Sequence, residues 1–509
     1  MTTGRATERT QWERLAVLTR APLRRFAPQG CFRTGFVESR TGSGSLNPWI
    51  LALVTVDVTA LISLGGLSAL LSWLLCFLFL LVSLYLFSRT LRFRVPFARY
   101  GALSYVAVSL AGLLCLHFYR IFSGQDFAPY FDDSMYFERA RDIAATGYTT
   151  GSSLFEPLVA GWMRLIAPIV DQPSLIHVLP VSWALAGLAA ALSYGLSETI
   201  SGVKLPIASA AASLLGNSVF IDSTVHLYRD GLMLVFFMLS LLASIKRRWA
   251  LALTFALLCG TVRSANAFLC LVFAALIFFV QRGKTLQSAV ILSCTCVCVI
   301  GGVLLVDQQV GFVGRGRTFF AAEGVDKTLF DQMRWRWSLA SQAVSAGESD
   351  SALYGAGPAA QTLSPIVSIF SPIHVRPLEK GVKTLRMTES GGLAYGSIPV
   401  RVESIFEWVT VPLWVLVWPL LVCGILAGWH GNTGQRAFVL FFLLTVCAVT
   451  ALSAQTRHKD AYVILFPSIM ALAYGDPGRF RHYRRPITWL VASFLILLNV
   501  RYLITNFGR

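Results

Sequence analysis

Apolar runs of about twenty residues recur along the chain, separated by short segments rich in arginine and lysine. A run of that length crosses a hydrocarbon core of about 30 Å as an α-helix, whose backbone hydrogen bonds are satisfied internally. The pattern predicts an all-α polytopic membrane protein with about thirteen transmembrane helices and two extracytoplasmic loop regions carrying short helices. The predicted spans are 47–66, 68–87, 100–119, 175–197, 205–221, 228–245, 249–262, 264–281, 286–306, 403–428, 437–454, 461–475 and 487–504.

The predicted spans divide the chain into five parts. A segment at 157–170 is expected to dip into the membrane interface without crossing it. The parts are a basic cytoplasmic tail (1–45), a transmembrane hairpin with a basic loop (46–99), a transmembrane core (100–306) that contains a first outer loop (120–156), a large extracytoplasmic loop (307–402) and a C-terminal transmembrane bundle (403–509).

Composition and charge fit this assignment. The 509 residues are 55% hydrophobic and only 14% charged, with a mean hydropathy of +0.63, which excludes an ordinary soluble domain. The net charge of +17 arises from basic residues in short loops, which is a topology signal and does not indicate nucleic-acid binding. We therefore predict a multi-pass protein of a bacterial inner membrane, with a cytoplasmic N-terminus and an uncleaved first span.

The first outer loop contains the stretch "DDSMYFERARDIAATG". It predicts a short helix with an acidic start and Gly147 as its terminator. At 100° per residue Asp132 and Asp133 occupy neighbouring stripes, so only one of them faces a given pocket. Capping the helix needs one carboxylate, and the second is then left for chemistry, close to Tyr136 and the Glu156–Pro157 corner.

Several predicted spans carry charged residues where they emerge on the same outer face. The stretches are "STVHLYRDG", "TVRSAN" and "AQTRHKDAY". Such side chains either reach the headgroups of nearby lipids or face a water-filled cavity inside the bundle. We select as candidate substrate-binding residues, with Tyr136 and Glu156, the set Arg229, Arg263, Arg457, His458 and Lys459.

Acidic and basic groups at one membrane edge suit transfer of a sugar from a lipid carrier. Cations neutralise the charge that develops on a lipid-bound phosphate as it leaves. An aspartate takes the proton that the acceptor hydroxyl loses as it attacks. Asp57 lies inside the first predicted span, and the sequence pairs it with no other residue.

The chain resembles the integral-membrane glycosyltransferases of the family-C fold. The resemblance rests on the acidic loop, on "EPLVAGWMRLIAP", on "YRDGLMLVFFMLSLLASIKRRWALALTFALLCGTVRSANAFL" and on "RHKDAYVILFPSIMALAYG". It implies a polyprenyl-phosphate or polyprenyl-diphosphate sugar donor and a glycan, lipid or protein acceptor. It also implies that Asp132 or Asp133 is catalytic, and that the other helps to hold a divalent cation such as Mg²⁺ or Mn²⁺. Two spans precede the family-like core, and the acidic pair is Asp-Asp where many members have Asp-Glu.

Two alternatives stay open. A repeat-unit polymerase for O-antigen or exopolysaccharide would rely on the Glu156–Pro157 corner and the outer arginines. A flippase for lipid-linked oligosaccharides, or another transporter, would carry polar residues near mid-bilayer in interrupted helices, or two similar halves. The sequence shows neither transporter feature clearly.

Overall fold

The computed structural model describes residues 48–93, 95–123, 131–147, 153–282, 382–387, 393–398, 403–452, 459–475, 485–497 and residue 500. Within these ranges the protein is helical apart from one antiparallel hairpin, β1 (Val382–Met387) with β2 (Leu393–Ile398). The hairpin belongs to the predicted large outer loop and is not part of the predicted all-α pattern. The basic tail, the span 286–306 and the rest of that loop lie outside the described residues.

The first helix, α1 (Pro48–Leu91), consists of two antiparallel arms joined at Gly66. Gly66 has φ +71° and ψ −167°, a conformation that glycine alone adopts readily. Successive residues of α1 meet α2 (Val95–Ser123) in the pairs Asp57–Ser109 and Leu64–Arg120, then Trp73–Tyr105 and Leu84–Gly101. Along the first arm the contact residues on α2 move toward the C-terminus of α2, and along the second arm they move back toward its N-terminus. The two arms therefore run in opposite directions. The reversal lies between the predicted spans 47–66 and 68–87.

Helix α5 (Leu175–Ser201) runs antiparallel to α2 through an interface of small residues. A Cβ on Gly187 would lie 2.8 Å from the backbone oxygen of Gly101, and one on Gly112 would lie 2.8 Å from the ring of Trp183. Absent side chains at these positions let the two backbones approach closely. The close contact fixes the position of Trp183 along the axis of the bundle.

Two loop helices follow α2 and pack against each other: α3 (Phe131–Thr146) and α4 (Phe155–Ile166). Gly147 ends α3 with φ +84°, and its N–H donates to Ile143 O at 2.9 Å, as the predicted terminator requires. Arg164 of α4 also donates to the carbonyls of Ile143 and Ala144 at the end of α3. Helix α4 occupies the predicted dipping segment and begins two residues before it.

The predicted span 205–221 is wrong as a single helix. The chain forms α6 (Ile207–Leu214) and α7 (Ser218–Val225), because Asn217 starts a new helix by accepting the N–H of Val219 at 2.9 Å. Three helices then follow the predicted spans closely: α8 (Asp230–Ile245), α9 (Trp249–Val262) and α10 (Ser264–Arg282).

The C-terminal part of the chain joins the same bundle. It comprises α11 (Glu403–Trp429), α12 (Thr433–Leu452), α13 (Asp460–Val463), α14 (Phe466–Gly475) and α15 (Arg485–Leu497). Helix α14 packs between α5 and α11. Ser193 of α5 donates to the carbonyl of Ile464 at 2.5 Å, which ties the late segment to the centre of the bundle.

Within the described residues, four helices are long and apolar enough to cross a membrane, and the bent pair α7–α8 makes a fifth. Five further apolar helices are shorter, at 10–17 residues. The structure is therefore compatible with a multi-pass membrane protein. The count of thirteen spans and the cytoplasmic side of the N-terminus stay predictions, since several predicted spans are helices shorter than the roughly 20 residues of a full crossing.

The Gly187–Gly101 contact yields a stability prediction. We expect Gly187→Ala to lower stability by about 1–3 kcal/mol, because a backbone oxygen blocks the added methyl group and α2 and α5 must separate. Gly161→Ala in α4 is the matched control, since its Cβ would meet nothing within 4 Å and alanine favours a helix. Thermal unfolding in detergent measures both. Equal melting temperatures would contradict the proposed close packing.

Candidate active site at a broken helix

The helical path breaks at residues 226–229, between α7 and α8. The two helices meet at 116°, so the last carbonyls of α7 and the first amides of α8 have no partners within a helix. Trp183 donates from Nε1 to the carbonyl of Val225 at 3.1 Å. Unpaired backbone groups are costly inside a membrane bundle, so the break needs further polar partners from elsewhere in the chain.

The break is recessed relative to its neighbours. Trp183 lies eight residues inside α5, and Gly112, which packs on it, lies eleven residues before the end of α2. At 1.5 Å per residue these offsets correspond to about 12 to 16 Å. The break therefore lies well below the bundle end where α2 finishes and α5 begins, the end that the sequence assigns to the outer face.

Asp133, near the start of α3, supplies the missing partner. Its Oδ1 accepts the N–H of Leu227 at 2.6 Å, and its Oδ2 lies 2.8 Å from Nδ1 of His226. The side chains of Asp133 and His226 are 0% and 1% exposed. One carboxylate from the first loop thus satisfies two groups of the broken helix, 93 and 94 residues further along the chain.

The contact also determines the protonation pattern of His226. A carboxylate oxygen accepts hydrogen bonds, so Nδ1 of His226 carries the hydrogen in this contact. The ring stacks on Tyr228, with centroids 4.9 Å apart and planes 20° from parallel. Asp133 and Tyr228 together hold the imidazole in one orientation, as a positioned acid/base group requires.

A second charged pair lies at the start of α8. Arg263, between α9 and α10, places a guanidinium nitrogen 2.8 Å from Oδ1 of Asp230. Asp230 is in the first turn of α8, where the helix dipole favours a negative charge. A guanidinium has five N–H donors, so the ion pair leaves Arg263 with donors for an anionic ligand.

The C-terminal part delivers a third group of charges. Lys459 and Asp460, at the start of α13, are 2% and 0% exposed. Helix α13 packs against α7 and α8, the two helices that flank the break. Charged side chains from α3, the α7–α8 break, the α9–α10 junction and α13 therefore converge in one region.

Tyr136 and Glu156 take part in the contact between α3 and α4. Tyr136 is buried edge-to-face against Phe155, with ring centroids 5.6 Å apart. Glu156 is buried, accepts a hydrogen bond from Ser153 and pairs with Arg139 at 3.7 Å. These contacts join the two loop helices. The substrate-binding role of Tyr136 and Glu156 stays a prediction.

Part of the predicted site is outside the described residues. Arg457 and His458 belong to the segment 453–458, and the side chain of Asp132 is likewise not described. Arg229 is half-buried within the break itself, directly before α8. Their assignment to the site stays a prediction based on sequence.

Sequence reasoning noted the charges of His226 and Asp230 but gave neither a place in the site. The signal was present, because a histidine and an Arg-Asp pair interrupt two apolar runs in "STVHLYRDG". Asp57, which the sequence left without a partner, accepts a hydrogen bond from Ser109 at 2.5 Å across the α1–α2 contact. That contact belongs to the packing of α1.

The described side chains include no group of three or more His, Cys, Asp or Glu arranged to hold a metal ion. Both oxygens of Asp133 are engaged with His226 and Leu227. The divalent cation, Mg²⁺ or Mn²⁺, stays a prediction.

No protein-family model matches the chain, and no curated protein matches it at a significant level.

Replacement of Asp133 tests whether it supports the broken helix. We expect Asp133→Ala to lower stability by about 1–3 kcal/mol, because a buried N–H and a buried imidazole lose their acceptor. Asp133→Asn should be milder, since its amide oxygen still accepts from Leu227 and its NH₂ can donate to the other tautomer of His226. The measurement is the melting temperature in detergent.

The controls are Asp142→Ala and Asp142→Asn, at an exposed position of the same helix. Both should leave the melting temperature nearly unchanged. A drop as large as that of Asp133→Ala would mean that any loss of negative charge destabilises α3.

Proposed function

We propose that the protein is a membrane glycosyltransferase. It transfers a sugar from a polyprenyl-phosphate or polyprenyl-diphosphate donor to a glycan, lipid or protein acceptor at the outer face of a bacterial inner membrane. The observation that supports this most is the Asp133–His226 pair, buried in a helix break that is recessed from the bundle end and lies near Arg263 and Lys459.

In this proposal the Asp133–His226 pair removes the proton of the acceptor hydroxyl. As the acceptor oxygen bonds to the anomeric carbon of the sugar, its proton passes to Nε2 of His226. The Asp133 carboxylate stabilises the imidazolium through Nδ1, since opposite charges in contact favour the charged form of the ring. The sequence predicts that an aspartate of the first outer loop is itself the general base, whereas in this proposal Asp133 acts through the imidazole.

The basic residues serve the leaving group. The bond between the anomeric carbon and the phosphate oxygen breaks, and its electron pair stays on the lipid phosphate. Arg263 retains donors beyond its pair with Asp230, and Arg229 and Lys459 lie in segments that meet the same break. Cations held in a site that excludes water stabilise developing phosphate charge far better than solvent does.

The recessed position suits a substrate that is itself part of the membrane. A polyprenyl chain stays in the hydrocarbon core while its phosphate lies near the interface. A site some 12 to 16 Å below the helix ends lies closer to that phosphate than one at the tips of the loops. Glu156, on which the polymerase alternative relies, is committed to the α3–α4 contact, so no described feature favours that alternative.

The proposal predicts a specific loss of transfer activity. With purified protein and a radiolabelled polyprenyl-phosphate sugar, we expect Asp133→Asn to lower the transfer rate about 10²- to 10⁴-fold, the range for loss of general base catalysis. The amide stabilises the tautomer whose Nε2 carries a hydrogen, so His226 no longer accepts a proton. His226→Gln should cause a loss of similar size, and Asp142→Asn should cause none.

Further variants separate the alternatives. Asp132→Asn tests the neighbouring carboxylate, and loss of activity there with full activity in Asp133→Asn would make Asp132 the base. Full activity in both aspartate variants would disprove a role for either. Lengthening of a lipid-linked oligomer without use of a monosaccharide donor would indicate the polymerase. Movement of lipid across vesicles without a new glycosidic bond would indicate a transporter.

A further inference from the structure

A cavity of about 620 Å³ lies at the opposite end of the bundle from the broken helix. It is bounded by the end of α1, the start of α2 and the connection between α5 and α6. Its volume is within the range of about 300–1,000 Å³ that is usual for ligand sites. The lining residues are Leu81, Tyr85, Ser88, Phe93, Pro96, Ala98 and Lys204.

The lining is apolar on one side and polar on the other. Leu81 and Tyr85 belong to an exposed apolar face of the second arm of α1, 38% and 56% exposed, where lipid chains would contact the protein. Lys204 lies in the connection after α5 and supplies an ammonium group, while the Ser88 hydroxyl donates to the carbonyl of Phe93 at 2.9 Å. A ligand that fits both parts has an apolar chain and a polar or charged head.

The sequence beside the cavity is strongly basic. Three of the connections at this end of the bundle, 89–99, 202–206 and 246–249, together contain eight Arg or Lys and no Asp or Glu, and the buried Glu198 lies one turn before the second of them. The guanidinium of Arg89 lies over the ring of Tyr85, 5.2 Å from its centroid. An anionic head group at the cavity would therefore face cations from several directions.

Lys246 shows how closely these cations are packed. Its ammonium donates to the carbonyl of Leu91 and lies 4.7 Å from the centroid of the Phe93 ring. Burial, and then repulsion by Arg248 and Arg92, lower the pKa of Lys246 to about 8. The protein itself does not neutralise these charges with a carboxylate from the three connections, so a bound anion would relieve the repulsion.

Two residues beside the cavity have a strained backbone conformation. Arg92 and Arg247 have φ of +57° and +59°, and they are the only non-glycine residues of the described structure with positive φ. One follows Leu91 and the other follows Lys246, the two residues joined by the hydrogen bond. Left-handed conformations of such residues persist where the surrounding contacts hold them, often at ligand sites.

We propose that this cavity binds an anionic phospholipid of the adjacent leaflet, which is the cytoplasmic leaflet in the predicted topology. The phosphate lies near Lys204, and an acyl chain follows Leu81 and Tyr85. The apolar wall favours a lipid over a free phosphate ion, which would use only the polar half of the cavity. This site is separate from the proposed catalytic site and does not depend on its function.

Native mass spectrometry of the purified protein tests the proposal, with phosphatidylglycerol and phosphatidylcholine added in turn. We expect tighter binding of phosphatidylglycerol, and about a fivefold loss of that preference in Lys204→Ala, the change expected for one cation near a lipid head group. Ala98→Phe fills the cavity without changing charge and should weaken binding of phosphatidylglycerol to a similar degree. Lys204→Arg should retain it.

Arg436→Ala is the matched control, because Arg436 is an exposed cation near the same end that does not line the cavity. It should leave binding unchanged, and melting temperatures in detergent should show that every variant is folded. An equal loss of phosphatidylglycerol binding in Arg436→Ala and Lys204→Ala would show that the effect comes from general surface charge. That result would overturn the proposal. Unchanged binding in Ala98→Phe, or competition by inorganic phosphate alone, would overturn it as well.

Discussion

The carboxylate of Asp133 stabilises the break between α7 and α8. A helix that breaks inside a membrane bundle leaves amide and carbonyl groups without partners, and no bulk water is present to replace them. Asp133 accepts from one of these amides and from the adjacent imidazole. The same interaction anchors a loop helix to the core, buries a histidine in a defined orientation and brings the first outer loop to the region reached by Arg263 and Lys459. Structure and proposed chemistry therefore depend on the same two hydrogen bonds.

The two ends of the bundle handle charge in opposite ways. Around the broken helix, acids and bases from distant segments pair, as in Asp133–His226 and Asp230–Arg263. At the other end, Arg89, Lys204 and Lys246 lie in connections that contain no acid. Paired charges can remain in a region of low dielectric, whereas unpaired cations require solvent, lipid head groups or another anion. This difference fits internal chemistry at one end and contact with lipid at the other.

The sequence predicted the helices best where charge or glycine marks their ends. Spans 249–262 and 264–281 match α9 and α10 because Arg248, Arg263 and Arg282 bound uniform apolar runs, and the glycines at 65–66 marked the reversal in α1. The span 205–221 failed because hydropathy does not register a local cap, and Asn217 starts a helix inside an apolar run. The hairpin 382–398 was missed because helical periodicity guided the assignment. A count of spans based on apolar runs also overlooks helices that are too short to cross alone.

The candidate site was only partly accessible to the same reasoning. The acidic loop and the charged helix ends were identifiable from residue types and from the order of the spans. The partner of Asp133 was not, because the amide of Leu227 has no signature in a sequence and His226 is 93 positions away. Glu156 had the same apparent chemistry as Asp133, yet it joins two loop helices. Only the three-dimensional arrangement separates a carboxylate that joins two loop helices from one that orients the buried imidazole of His226.

The contacts of the two arms of α1 with α2 show that α1 belongs to the core of the bundle. Both arms lie along α2, where Asp57 receives the hydroxyl of Ser109 and the carbonyl of Trp73 receives that of Tyr105. A truncated chain starting at Val95 would turn those hydroxyls and the glycine surface of α2 toward acyl chains. Helix α1 is therefore a structural part of the helical bundle and cannot be treated as a dispensable N-terminal accessory.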